Sequence, residues 1–507
     1  MISLISGVVA YIIAGISSMF YSRYKFLFSL LGLSGATGGL IKAVILYRNQ
    51  GELITDIGKW GMLGIEIKVD QTTLLFAALV VSLNFLTLIY LRNDKPGSFY
   101  ILYNFLLAAA FSLAFSNDLF NIYVLIEFLS LISIMLIGYE RRTRQIYAGI
   151  KYLVISSIAM SLYLIGLGIV YRTGGHLSIG ELAESLAGVS SPAIYVGIGL
   201  MVTGLATKGG VFLFSMWLPD AYAYSDTVVS VLLSGMATKA GLMGIIRLSG
   251  LIDLNNLLLG LGAITGIAGA IFAIISRRPK RILAFSSISQ TGYILFGVGL
   301  GTMVGVVVAS LHMLFHGLFK GLLFLSVGHS RIGNKDLYKD DIPSIPLISK
   351  VGLIVGSLSI IAVPPFSGYF SKGFLLENAG HGWLWWIISA ISFGTVIYIA
   401  KLCGLLLLKP TGDLDSEDIP LIGFILLVIL SPLFGLTIVQ GKEIFDLLAP
   451  HHLLVTFSLL TAGLLALITI WRDWSKLSSP AFPFQFDNAL ISVIIGFLLV
   501  FSSLFFI

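Results

Sequence analysis

Apolar runs of about 20 residues, separated by short polar stretches, recur along the whole chain. A helix needs about 20 predominantly apolar residues to cross a bilayer, and it satisfies its own backbone groups there without water. The pattern predicts sixteen such spans, at approximately 2–20, 26–47, 71–91, 98–115, 119–138, 150–171, 193–215, 227–249, 255–275, 283–300, 303–327, 348–378, 383–408, 420–440, 452–471 and 487–507. The first lacks a charged leading region and a clear cleavage site, so it is expected to be retained and not removed as a signal peptide. The stretches between spans reach only about 20 residues, which leaves no room for a soluble domain.

Composition sharpens this picture. Of 507 residues, 57% are hydrophobic and 11% charged, against roughly a quarter charged in soluble domains. That excludes a soluble enzyme, a disordered tail and a collagen-like chain. The charges also report topology. Alternate loops carry Arg23 and Lys25; Arg92 and Lys95; Arg141, Arg142 and Arg144; Arg277, Arg278, Lys280 and Arg281; Arg331, Lys335 and Lys339; Lys409; Arg472 and Lys476. The intervening loops carry only Arg48, Lys59, Lys68, Arg172 and Lys442, a ratio of 17 to 5. Lys and Arg stay on the cytoplasmic side, so both termini are expected outside. The formal net charge of +6 is then a property of loops, and no nucleic-acid partner is expected. The single cysteine, Cys403, excludes a disulfide framework and a cysteine-ligated iron–sulfur cluster within the chain. Seven histidines leave a haem open by count alone. No cofactor, metal or catalytic centre is expected here.

Several spans nevertheless hold ionisable groups far from their ends. Glu127 lies about nine residues into its span, and Lys208, Lys239 and Lys372 lie within theirs. His312, His316 and Lys320 recur every four residues, which places them on one helical face. A charge at mid-bilayer costs about 2.5–3.5 kcal/mol on insertion scales, so each needs a partner, water or neutralisation. One such residue can simply tie helices together. One carboxylate, four lysines and two histidines at mid-depth, with nothing to bind iron or flavin, have the makings of a proton relay. Lys42, Arg247 and Lys401 lie close enough to span ends to snorkel to the interface, and Glu377 ends its span near water. His176, His329, His381, His451 and His452 fall in loops.

Gly209-Gly210 beside Lys208, and Pro364-Pro365 with Gly368 before Lys372, are expected to break spans seven and twelve within the bilayer. Transporters place ion sites at such breaks. The offset of five spans is odd, so the two broken helices cross in opposite directions, as in an inverted repeat of spans four to eight and nine to thirteen. The division is then 1–95 for the first three helices, 98–249 and 255–408 for the two repeats, and 420–507 for the last helices. The fold expected is an all-α polytopic membrane protein of 14–16 helices.

Longer motifs carry a resemblance. Lys208-Gly-Gly-Val-Phe-Leu-Phe-Ser-Met-Trp217-Leu-Pro219-Asp-Ala221, Val229-Ser230, Thr238-Lys239-Ala-Gly241, Lys280-Arg281-Ile-Leu-Ala-Phe-Ser286-Ser-Ile-Ser-Gln290-Thr-Gly292, Leu311-His312-Met-Leu-Phe-His316-Gly-Leu-Phe-Lys320 and Pro364-Pro-Phe-Ser-Gly368-Tyr-Phe-Ser-Lys372 stand in order. Together, over roughly residues 70–410, they resemble the proton-conducting subunits of respiratory complex I and of Mrp cation/proton antiporters. Similar subunits occur in membrane-bound hydrogenases and ferredoxin-linked complexes. Lys151-Tyr152 with Leu164-Ile-Gly-Leu-Gly-Ile-Val-Tyr171 looks most like the D-type component of Mrp antiporters.

The resemblance implies a role for each position. Glu127 and Lys208 match a coupling ion pair, Lys239 the central lysine of the eighth helix, His312, His316 and Lys320 the polar axis of the eleventh, and Lys372 the terminal lysine of the twelfth. It implies a non-redox, proton-translocating membrane subunit within a multisubunit complex in a prokaryotic inner membrane, with a partner driving it. The partners implied are other antiporter-like and small membrane subunits, the bilayer and H⁺. The alternative is a subunit of a redox-independent Mrp-type antiporter with Na⁺ as a second ion. One departure stands out: some members carry a histidine shortly before the eighth-helix lysine, where this chain reads Leu233-Ser234-Gly235, so Ser234, Thr238 or water would have to serve. The two spans beyond fourteen are expected to pack against a neighbouring subunit, and the long lateral helix of the largest members is not expected.

Overall fold

The computed structural model describes residues 2–58, 64–91, 94–189, 191–330, 332–335, 345–380, 382–404, 410–411 and 419–439. They form two compact units. The expected spans at 452–471 and 487–507 lie outside the described residues. Among the described residues, ten helices are long and apolar enough to cross a membrane, and three shorter apolar helices accompany them.

The first unit comprises residues 2–217 and 236–257 of those described. It holds α1 (Ile2–Phe20), α2 (Lys25–Gln50), α3 (Gln71–Leu91), α4 (Gly97–Phe115), α5 (Leu119–Ile137), α6 (Thr143–Gly174), α7 (Ile179–Leu186) and α8 (Pro192–Gly209). The second unit begins at Leu218 with α9 (Leu218–Tyr224) and α10 (Thr227–Leu232). A π-helical turn at Leu233–Ala237 joins α10 to α11 (Thr238–Leu248), which returns to the first unit. The second unit continues with α12 (Asn255–Ile275), α13 (Pro279–Gly299), α14 (Met303–His329), α15 (Leu347–Ile360), α16 (Ser367–Asn378), α17 (Trp383–Cys403) and α18 (Ile419–Val439).

The helices pack through apolar side chains, but polar side chains set their register. Asn84 on α3 donates to Tyr11 Oη on α1 (2.8 Å) and accepts from Tyr103 Oη on α4 (2.7 Å), while Asn104 on α4 donates to Ser29 Oγ on α2 (2.7 Å). Four helices are thereby held by amides and hydroxyls, which in an apolar interior have no water to prefer.

One element departs from the expected pattern. The link between α2 and α3 is a β-hairpin, β1 (Leu53–Ile57) against β2 (Ile65–Val69), antiparallel with Leu53 opposite Val69 and Ile57 opposite Ile65. Its anchor is the buried Glu66, which accepts from Asn117 Nδ2 and from Ser178 Oγ (2.6 Å), tying the hairpin to the α4–α5 and α6–α7 links. A two-residue parallel pair, β3 (Ile345–Pro346) and β4 (Pro410–Thr411), completes the strands among the described residues.

Two charges expected to snorkel are instead buried. Arg247 donates from Nη1 to Asp70 Oδ2 (2.7 Å) and from Nη2 to Thr73 Oγ1 (2.7 Å), and Thr73 N–H caps Asp70 Oδ1 (2.8 Å). Lys401 donates to the carbonyls of Ile274 (2.9 Å) and Ser276 at the C-terminal end of α12, where unpaired carbonyls and the helix dipole favour a cation. In both cases the neighbouring helix offers a better partner than the interface does. Lys280, expected as a loop charge, is also buried and donates to Ser225 O (2.9 Å) and Ser230 Oγ (3.2 Å). Lys42 and Glu377 are exposed, in keeping with interface positions.

Burial opposes ionisation of Asp70, yet Arg247, the Thr73 N–H and Lys68 together hold its carboxyl below the ordinary value of 3.8. A depressed folded-state value means that the carboxylate stabilises the fold above about pH 4. That contribution is lost as pH falls through the folded-state value. Replacing Asp70 by Ala strands Arg247 in the interior and is expected to cost about 3–5 kcal/mol. D70A combined with R247L should recover part of the loss. Thermal melting of the three purified proteins at neutral pH checks the order; equal melting of D70A and wild type would contradict it.

Candidate functional site

In the first unit, α8 stops where its sequence runs into two glycines. Gly210 adopts φ +72°, a left-handed conformation that glycine takes without steric cost, and its N–H closes onto the carbonyls of the last turn. Trp217 Nε1 donates to the Thr207 carbonyl (2.9 Å). Lys208, one residue before the end of α8, is thereby aimed into the unit. Its ammonium donates to Ser130 Oγ on α5 (2.6 Å) and to Ser156 Oγ on α6, and lies 5.8 Å from the Tyr152 ring centroid. Tyr152 is in turn stacked on Trp217, with ring centroids 4.0 Å apart.

Glu127 lies one turn before Ser130 on α5 and is half-buried. The hydrogen bonds of the Lys208 ammonium go to the two serines, so Glu127 and Lys208, the coupling pair that the resemblance implies, are not in direct contact here. Lys239 on α11 has no solvent exposure and lies 3.4 Å from Thr238 Oγ1. Close approach of α11 to α8 brings it into the same unit: a Cβ on Gly241 would stand 2.3 Å from Gly209 N and 2.7 Å from the Lys208 carbonyl carbon.

The second unit repeats the arrangement of a lysine at a helix break. The chain leaves α15 at Ile360 and begins α16 at Ser367. Lys372 on α16 donates to the Ile360 carbonyl (2.7 Å), one of those the break leaves unpaired, and its ammonium sits 4.5 Å from the Tyr293 ring centroid. On α14 the rings of His312 and His316 lie 6.0 Å apart, and His312 Nδ1 is 2.9 Å from Ser371 Oγ on α16. Lys320 donates to Leu283 O (3.0 Å) and to Ser286 Oγ on α13. Of the seven side chains singled out by sequence, six are buried and Glu127 is half-buried. Glu127, Lys208 and Lys239 belong to the first unit; His312, His316, Lys320 and Lys372 belong to the second. Among the described residues, no three His, Cys, Asp or Glu side chains gather as metal ligands.

Residues 116–398 match the family described as NADH:quinone oxidoreductase/Mrp antiporter, TM. The chain belongs to this family. It is 31% identical over 361 residues to the NADH-quinone oxidoreductase subunit N of Desulforudis audaxviator, covering 67% of this chain and 72% of that one. It is 28% identical over 426 residues to the D-type component of the Na(+)/H(+) antiporter of Alkalihalophilus pseudofirmus, covering 79% and 84%. Its fold is similar to a chain of the membrane-bound sulfane sulfur reductase, an archaeal respiratory membrane complex, with a TM-score of 0.78 at 22% identity over 91% of this chain and 99% of that one. The Mrp complex from Dietzia sp. DQ12-45-1b gives 0.76 at 20% identity over 90% and 99%. The protein is thus an all-α, multi-pass membrane member of this family.

Sequence reasoning did not anticipate some polar partners. Ser130, Ser156 and Ser371 carry no signal of their own, because a serine in an apolar span usually bonds back to its own helix. Arg281 with Asp220 (2.7 Å) was visible only as two members of separate motifs. Lys151, quoted as part of one motif, is buried on α6.

The α8–α11 contact makes a test. Gly241→Ala forces the two helices apart and is expected to destabilise by about 1–3 kcal/mol through overpacking. Gly260→Ala on α12, where an added Cβ meets nothing within 4 Å, should be near neutral. Paired thermal melts of the two variants decide it, and a neutral Gly241→Ala would refute the close packing.

Proposed function

We propose that this chain is an antiporter-like, Mrp D-type proton-translocating subunit of a multisubunit respiratory complex, such as a membrane-bound hydrogenase or an NADH- or ferredoxin-linked oxidoreductase. The observation that carries the reading is the placement of Lys208 and Lys372 at two helix breaks, each solvated by hydroxyls or a carbonyl inside an apolar bundle. Such lysines are held by groups that accept a hydrogen bond without fixing a counter-charge, so both protonation states can be accommodated.

In this reading a proton is taken up from the cytoplasmic side near Lys208 and Lys239. It then moves with the help of water by way of His312 and His316, with Lys320 on the same axis, and leaves by Lys372. Glu127 supplies the switch. Its negative charge favours the ammonium form of Lys208, and withdrawing or neutralising that charge loosens the lysine's hold on its proton. A partner that moves charge beside Glu127 thereby drives the step. The reading includes 14–16 helices with two inverted five-helix repeats, broken at spans seven and twelve, and both termini outside a prokaryotic inner membrane. The offset between the two lysine-bearing breaks supports the repeat.

A second reading is a subunit of a redox-independent Mrp-type Na⁺/H⁺ antiporter, supported by the likeness to the D-type component of such an antiporter over 79% of the chain. The composition of the native complex separates the two: hydrogenase or ferredoxin-linked chains in one case, only antiporter chains in the other.

Both readings make Lys239 indispensable. In the native complex reconstituted into vesicles, Lys239→Ala is expected to lower proton movement by tenfold or more, about 1.4 kcal/mol or more on the limiting barrier. Assembly should be intact. A pH-sensitive dye in the lumen reads the outcome, and undiminished transport would sink the relay.

A further inference from the structure

The second unit holds a buried polar network that the seven relay residues do not include. It lies between α13 and α17. Tyr293 Oη is 2.7 Å from Ser392 Oγ and also within hydrogen-bonding reach of Thr395. Tyr398 Oη donates to Thr395 Oγ1 (3.2 Å), and Gln290 Nε2 donates to both, at 3.3 Å to Thr395 and 3.1 Å to Tyr398. On α17, Ser392, Thr395 and Tyr398 recur every three residues, and Lys401 follows near the end of an otherwise apolar helix.

This network touches the proposed relay at one end. The ring of Tyr293 lies beneath the Lys372 ammonium, and its centroid is 5.6 Å from that of His312. Because α13 and α17 run antiparallel here, the other end points toward the start of α13 and the end of α17. There Lys401 caps the carbonyls of Ile274 and Ser276. The loop at that end carries Arg277 and Arg278, which the positive-inside rule assigns to the cytoplasm.

We propose that the α13–α17 hydroxyl chain is a proton branch of Lys372, leading toward the junction of α12 and α13. It rests on the proposed function and adds a second route to the same lysine. The chemistry is a hydroxyl relay, since each Tyr or Thr hydroxyl both donates and accepts. A proton from water at the far end binds Tyr398 Oη as that hydroxyl hands its own hydrogen to Thr395 Oγ1. Thr395 turns its hydroxyl from the Ile391 carbonyl and hands its hydrogen to Tyr293 Oη, and Tyr293 passes its own to neutral Lys372 after a turn of the flexible lysine stem or through one water. Every O–H bond broken is replaced, Lys372 is left as the ammonium that then releases its proton by the exit, and no electron moves. Gln290 holds the two central oxygens in line. Its own Oε1 is buried and has no hydrogen-bond partner among the described residues, an arrangement that costs stability unless a mobile donor visits it.

A merely structural tie between α13 and α17 makes a different prediction: weaker variants would lose assembly, and those that assemble would transport normally. The test uses the native complex in vesicles with a luminal pH dye, transport being scored per assembled complex. Thr395→Val and Tyr398→Phe keep the side-chain shape and remove only a hydroxyl. Both are expected to slow transport by about twofold, the loss of one of two routes to Lys372, whereas Thr395→Ser, which keeps the hydroxyl, should transport as the parent does. Full transport in Thr395→Val and Tyr398→Phe, beside an inactive Lys239→Ala, overturns the branch alone. Full transport in Lys239→Ala would instead sink the proposed function. If Thr395→Val fails to assemble, Tyr398→Phe carries the same two outcomes.

Discussion

A charge inside an apolar bundle must be solvated by the protein, and the helices give most of their polar groups to their own backbone. That shortage organises the structure. Where an ammonium is buried, something has been opened to receive it. The α15–α16 break frees the Ile360 carbonyl for Lys372, the end of α12 serves Lys401, and the end of α8 turns Lys208 toward serines on α5 and α6. The breaks are therefore part of how these lysines are accommodated.

The buried cations divide by what they face. Arg247 meets a carboxylate, Asp70, and its guanidinium cannot release a proton in a protein. That pair is fixed in charge and acts as a strut. Lys208, Lys320 and Lys372 meet hydroxyls and carbonyls, which stabilise an ammonium yet leave no stranded anion if the proton departs. Lysine at these positions and arginine at the strut follow from that difference.

Much of this was legible because helix crossing imposes length and apolarity on the sequence. Among the described residues, ten of the expected spans are helices long and apolar enough to cross a membrane, and the chain leaves its helices at Gly210 and between Ile360 and Ser367. Depth within a span was a poorer guide to environment. Arg247 and Lys401 lie near helix ends, where snorkelling is available, but a facing carboxylate and a helix C-terminus were closer at hand. Neither partner can be read from the sequence around the cation. The hairpin was missed because only Ile65–Val69 alternates with period two, while Leu53–Ile57 does not. Short alternation is easily lost beside spans of 20 residues.

The departure at Leu233-Ser234-Gly235 has a structural counterpart. Those residues, with Met236 and Ala237, form the π turn immediately before α11. A π turn widens a helix by one residue and so rotates the succeeding turn relative to the preceding one. Lys239 is the second residue of the regular helix after that turn, with Thr238 as a hydroxyl neighbour at 3.4 Å. A histidine on the preceding turn would supply a proton acceptor at fixed reach. Here the backbone itself is reshaped at that place, and Thr238 sets a hydroxyl beside the lysine. The loss of one titratable group at this turn therefore does not interrupt the polar surroundings of Lys239, because Thr238 lies on the Lys239 side of the altered turn.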